Sequence, residues 1–130
     1  ETEYSDSFVT SNDKADSVFE LRFCTCNEGK LDRLNARFRD DTINLFEKHK
    51  MANVGYWTPF DPPENQNILI YMLRHESGAQ AAANWKALLN DPKWKQVARD
   101  SQKNGEILER PAERIFLKPL DISANPLPSK

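Results

Sequence analysis

Residues 67–77 read Asn67-Ile68-Leu69-Ile70-Tyr71-Met72-Leu73-Arg74-His75-Glu76-Ser77. The six residues 68–73 are all apolar or aromatic, and polar residues bound them on both sides. A strand with one wet face alternates apolar and polar side chains, and this one does not. The run is far too short to cross a bilayer. Ile68 and Ile70 are β-branched, and Asp61-Pro62-Pro63 supplies turn formers just upstream. The stretch is therefore predicted to be a central strand with a layer on each face. Helices of the same chain can form one layer, and the other needs a second source.

Working outward, Ser77 followed by Gln80 has the spacing of a capping box, and a helix should continue through Ala81, Ala82, Trp85, Leu88 and Leu89. Asp91-Pro92 pairs a good N-cap with a residue suited to the first helical position, so a second helical piece restarts there, with Trp94, Val97 and Ala98 on its apolar stripe. Asn104-Gly105 suits a left-handed C-cap. Residues 114–120 follow as a strand. Pro119 cannot donate to a ladder, so this strand is an edge or ends there.

Upstream of the central stretch, residues 51–58 form another strand, with Gly55 leaving room for a close neighbour or a bulge. A helix is predicted over residues 30–50, with Leu31, Leu34, Phe38, Thr42, Leu45 and His49 at spacings of three and four. In residues 18–26, Phe19, Leu21 and Phe23 alternate with Glu20 and Arg22, which gives the first strand. The order strand, helix, strand, strand, helix, strand makes a ferredoxin-like α+β plait, a four-stranded antiparallel sheet with the helices on one face and the first and third strands in the middle. Residues 1–16 are expected to be a polar arm or tail, residues 17–123 the domain, and residues 124–130 a short tail.

The chain has 130 residues, enough for one core. Hydrophobic residues make up 38% and charged residues 29%, as in a folded globule. With 18 basic and 20 acidic residues well mixed, there is no basic stripe for phosphates, and nucleic acid is not an expected partner. No segment is long and apolar enough for a membrane span. The first residue is Glu1 rather than Met, which fits a mature form or a chain prepared without its leader, so export or organelle import stays open. Cys24 and Cys26 lie two apart on one strand with parallel side chains. That geometry opposes a disulfide, no Cys/His cluster marks a metal site, and buried free thiols are expected.

Several segments resemble the NIPSNAP family: Val18-Phe19-Glu20-Leu21-Arg22, Glu28-Gly29-Lys30-Leu31, Leu45-Phe46-Glu47-Lys48-His49, Val54-Gly55-Tyr56-Trp57-Thr58, Asn84-Trp85-Lys86-Ala87, Asp91-Pro92-Lys93-Trp94, Asn104-Gly105 and Phe116-Leu117-Lys118-Pro119-Leu120-Asp121. They span residues 18–123 in the family's order. The resemblance implies a homodimer of the dimeric α/β barrel type, in which a second subunit covers the face that the helices leave bare. At two positions the chain departs from the family's pattern. Asp41 stands where the family often has His, and Lys50 stands where it has Gly after the helix-ending His. The family implies no agreed reaction, and wider relatives of the fold include cofactor-free monooxygenases, isomerases, dehydratases and haem proteins.

The candidate site residues cluster at the strands. His75 and Tyr56 are the candidates for proton transfer, with a haem-ligand role for His75 as a further reading. Arg22, Arg74 and Trp57 are the candidates for ligand binding, the arginines because a guanidinium grips a carboxylate with two bonds. His49 suits a helix C-terminus, where a cation meets the dipole, and Trp85 and Trp94 suit core anchoring. No nucleophile elbow, phosphate loop, dinucleotide fingerprint or metal spacing occurs, so no cofactor or metal is called for. Two readings follow: a homodimer holding a small apolar ligand between sheet and helices, or a cofactor-free monooxygenase, isomerase or dehydratase acting on a small organic substrate.

Overall fold

A computed structural model describes residues 17–120 and Ile122, so the expected arm and tail at the two ends lie outside the described residues. The strands are β1 (Val18–Thr25), β2 (Ala52–Trp57), β3 (Ile68–His75) and β4 (Glu113–Leu117). They form one antiparallel sheet in the order β2-β3-β1-β4, with β1 and β3 central and β4 at an edge. This is the expected plait. β1 and β3 pair over their whole length, from Val18 opposite His75 to Thr25 opposite Ile68.

The first helical layer is one continuous segment with a defect. Helix α1 (Leu31–Arg37) runs into a π turn (Phe38–Thr42) and resumes as α2 (Ile43–Lys48). Thr42 Oγ1 donates to the Arg37 carbonyl, five residues back, 3.3 Å away. The wider turn keeps Phe38 and Thr42 buried alongside Leu34, Leu45 and Phe46. Such single turns gather at functional sites. After α2 the chain leaves at Lys50 with φ 69°, the left-handed conformation in which glycine carries no Cβ penalty. Lys50 thus takes a backbone conformation that suits glycine, without glycine's freedom.

The second layer is α3 (Gly78–Leu89) followed by α4 (Pro92–Ser101). Ser77 Oγ accepts from Gln80 N at 3.1 Å, but the Gln80 side chain turns to Asn84 Oδ1 at 2.8 Å, so the capping box is half formed. Asp91 caps α4 through Lys93 N at 2.8 Å, with Pro92 in its first turn. Gly105 is left-handed, at φ 113°, but lies in the turn beyond α4 rather than at its cap. On β2 the register shifts between Asn53 and Gly55, and the Trp57 indole lies over Gly55, where an added Cβ would meet it at 2.7 Å. Both uses foreseen for that glycine, a bulge and a close neighbour, are present.

The helices cover one face of the sheet. Leu69, Tyr71 and Leu73 from β3 and Cys24 from β1 pack there with Leu34, Phe46, Trp85 and Leu88. The other face carries Phe19, Leu21, Phe23, Ile70 and Met72 from the central strands, all half-buried. Trp57 and Ile115 stand on the flanking strands of that face, each 51% exposed.

Candidate functional site

β1 alternates as predicted, but its charged side points inward. Glu20 and Arg22 face the helices and are buried, while Phe19, Leu21 and Phe23 face away. A carboxylate and a guanidinium inside a core cost several kcal/mol each unless paired and hydrogen-bonded. Here they are both. Arg22 Nη1 donates to Glu20 Oε2 at 3.0 Å, and Arg22 Nε donates to Tyr71 Oη at 2.7 Å. Trp85 Nε1 donates to Glu20 Oε1 at 2.7 Å, and His75 Nε2 lies 2.8 Å from the same oxygen. The Arg22 guanidinium stacks over the Trp85 ring, 4.3 Å from its centroid. Asn84 Nδ2 sits 3.4 Å from His75 Nδ1 and donates to the Lys50 carbonyl at 3.3 Å.

The elements explain the assembly. Glu20 and Arg22 share a face because strand side chains alternate with period two. His75 and Tyr71 share the matching face of β3, four residues apart, and the antiparallel register brings that row beside Glu20 and Arg22. Asn84 and Trp85 come down from α3, on the stripe that also buries Ala81 and Leu88. Burial pushes the Glu20 carboxyl up, but His75, the Arg22 charge and Trp85 outweigh it and hold the group below its ordinary range. Burial raises the Tyr71 and Tyr56 hydroxyls above theirs, with no nearby charge strong enough to reverse it.

Beside this cluster lies an interior cavity of about 40 Å³, room for a water molecule or so. Its polar groups include Arg22, Arg37, Thr42 and Tyr71, and its apolar wall includes Trp85 and Leu88. Phe38 packs on Phe46, Tyr56 and Tyr71, and Tyr56 stacks on Tyr71, so an aromatic block closes one side.

The predicted site residues divide between the two faces. Arg22, Tyr56 and His75 lie on the helix side. Arg74 and Trp57 lie on the open side, Arg74 beside Ser17 Oγ at 3.5 Å. His75 is fully buried and engages Glu20 and Asn84 rather than Tyr56, whose hydroxyl donates to Asn53 Oδ1. His49 bonds through Nε2 to Asp91 Oδ2 at 2.6 Å, and Lys48 Nζ reaches the same oxygen at 2.9 Å. Those two contacts and the cap to Lys93 hold the Asp91 carboxyl far below the usual carboxylate range. Cys24 and Cys26 are free and buried, and burial raises the Cys26 thiol to about 11, which keeps it protonated and unreactive. Among the described residues no cluster of His, Cys, Asp and Glu could hold a metal, and no helix is long and apolar enough to cross a membrane.

Reading the sequence alone left Tyr71, Asn84, Trp85 and Arg37 outside the site. Two signals were available. Tyr71 has the same parity as His75 on β3, and Asn84 is a polar residue on the otherwise apolar stripe of α3.

Comparison with known proteins gives a family from the sequence and a shared fold from solved structures. The NIPSNAP family model matches residues 19–124. An uncharacterized NIPSNAP-like domain protein from Burkholderia xenovorans superposes with a TM-score of 0.71 at 20% identity, over 88% of this chain and 93% of its own. A NIPSNAP family protein of unknown function from Agrobacterium tumefaciens gives 0.68 at 20% identity, over 85% and 94%. SnoaB, a cofactor-independent oxygenase from Streptomyces nogalater, gives 0.56 at 12% identity, over 85% and 100%. No curated protein matches.

Proposed function

Because this chain belongs to the NIPSNAP family, we propose that it is a homodimeric binding protein. Two copies meet through the apolar sheet face, and each copy holds a small apolar ligand between sheet and helices, against Arg22. One observation carries the proposal: β1 sends Glu20 and Arg22 inward and Phe19, Leu21 and Phe23 outward. A sheet face with Leu21, Met72, Trp57 and Ile115 at its surface is more apolar than a lone small domain ordinarily leaves in water. A second copy is the simplest cover, since self-association is usually closed and two-fold. Trp57 and Arg74 then belong to that interface rather than to the ligand. The inward charges serve recognition, because a polar cluster beside an aromatic-walled cavity orients a ligand that apolar packing alone would not.

Native mass spectrometry of the full chain tests both parts. The expected species is twice the 15.0 kDa chain mass, with a retained small molecule. A single-chain particle at micromolar concentration would remove the dimer, and a ligand-free spectrum together with no uptake of small apolar compounds would remove the site.

A second reading draws on the likeness of fold to SnoaB, which acts without a cofactor. It makes the chain a cofactor-free monooxygenase, isomerase or dehydratase for a small organic substrate, with His75 or Tyr56 moving the proton. His75 would first have to leave Glu20 or Asn84, since each ring nitrogen faces one of them. Turnover that falls at least 100-fold in His75→Ala, with binding retained, would favour this reading. Binding without turnover favours the first.

A further inference from the structure

One proton of the buried cluster lacks an acceptor. Tyr71 Oη accepts from Arg22 Nε at 2.7 Å, and that guanidinium occupies one side of the oxygen. The hydroxyl is also a donor, and among the described residues none accepts from it. Its ring cannot turn to find one. The Phe38 ring lies 5.0 Å away, Phe46 and Tyr56 stack on it at 5.7 and 5.4 Å, and the residue is 2% exposed. Tyr71 and Arg22 both line the interior cavity, whose volume of about 40 Å³ seats one small group. Thr42 Oγ1, on the same wall, already donates its proton to the Arg37 carbonyl.

A buried hydroxyl gives up its hydrogen bond to water on folding and regains it only when a new acceptor arrives. Burial raises the Tyr71 hydroxyl well above its ordinary range, so it keeps its proton at neutral pH. The bond from the Arg22 guanidinium polarises the phenol and makes its O–H a stronger donor. One such donor matches one neutral acceptor. A carboxylate brought this deep needs several donors, and the Arg22 charge is already faced by Glu20 at 3.0 Å. A ligand hydroxyl would carry in a second proton with the same need. A carbonyl accepts and brings no proton.

Resting on the binding reading above, we infer that Tyr71 receives the ligand and that the ligand is an uncharged carbonyl compound with an apolar body. Its oxygen enters the cavity and accepts from the Tyr71 hydroxyl, with Arg22 as the positioning residue behind it. The body takes the side closed by Leu108 and Ala112, the two wall residues that lie outside every named helix and strand and yield at the least cost. The aromatic block of Phe38, Phe46 and Tyr56 stays in place, since it fixes the ring that makes the bond.

The full chain is titrated calorimetrically with cyclohexanone and with methylenecyclohexane, which has the same shape and no oxygen. Infrared difference spectroscopy then reads the carbonyl stretch of bound cyclohexanone. It is expected as one narrow band well below its position in hexane. Tyr71→Phe should return the band to the hexane position, weaken cyclohexanone about tenfold and leave methylenecyclohexane within about twofold. Should Tyr71→Phe not fold, 3-fluorotyrosine in place of tyrosine, a stronger O–H donor, should move the band of the bound ketone further down. A band at the hexane position in the unaltered chain, or one that neither change moves, would overturn the Tyr71 assignment while the interior site stands. Sodium cyclohexanecarboxylate bound more tightly than cyclohexanone would overturn the uncharged carbonyl. If neither cyclohexanone nor methylenecyclohexane binds, the binding reading itself falls, and the role of Tyr71 falls with it.

Discussion

The two faces of the sheet are built from the same two central strands and could hardly differ more. The helix side holds a carboxylate, a guanidinium, an imidazole and an indole N–H joined by short hydrogen bonds. The open side holds Phe19, Leu21, Phe23, Ile70 and Met72. A rule that sends charged residues to water would have put them the other way round. Side-chain hydrogen bonds decide the orientation here. The inner face supplies a partner for each charge, so the charges tolerate burial, and the apolar row is left on the open face.

The contrast can be broken most severely from the inside. Glu20→Ala removes the acceptor of Arg22, His75 and Trp85 at once and strands a buried guanidinium, so unfolding in urea should show a loss of about 3–5 kcal/mol. A loss under 1 kcal/mol would mean that the cluster is wetter than its geometry indicates.

The open face answers to a different probe. Leu21→Lys places a charge in the middle of the apolar row, opposite Met72 and Ile115. Sedimentation should show dimer affinity weakened by about 100-fold or more, near 2.7 kcal/mol, with monomer stability changed little. If mass and stability both stay put, that face is simply solvent-exposed, and the sheet has one functional side rather than two.

Acid separates the faces more gently, since the titrating groups named here belong to the helical side. The carboxyls of Asp91 and Glu20 are held below their ordinary values in the fold, so each contributes stability that is present above the unfolded value and lost as pH falls through the folded one. Stability should therefore decline progressively below about pH 4, where free carboxylates begin to protonate. Asp91→Asn should flatten part of that decline, as read from melting temperature against pH. An unchanged slope would show that the Lys48 and His49 contacts do not favour the ionised form.

The smallest expected effect concerns the backbone. Lys50→Gly should stabilise the chain by about 0.5–1 kcal/mol in the same urea assay, because the residue already holds φ 69°. A loss would mean that the lysine side chain contributes something its backbone conformation does not suggest.

Much of the fold was legible because its signals are local. The Ser77 and Asp91 caps follow from residue type and position, and Pro119 marked the last strand as an edge or as ending there; β4 is an edge and stops at Leu117. The site was legible only in fragments. Tyr56 and His75 stood out as candidates for proton transfer, and Arg22 and Arg74 as guanidinium grips for a carboxylate, Arg74 being the chain neighbour of His75. The pleat sends those two neighbours to opposite faces. Glu20 was read as part of the alternation of the first strand; its bonds to His75 and Trp85 cross 55 and 65 residues of chain, a distance no spacing pattern spans. The π turn was missed because its residues fit an ordinary helical stripe almost as well.

By itself the sequence determined the order of elements and the central place of residues 68–73, because apolar runs, caps and prolines act over a few residues. Tertiary structure alone decided which side of β1 faces in. Alternation has a period but no sign, and the sign was set where β3 and α3 brought His75 and Trp85 within hydrogen-bonding reach of Glu20.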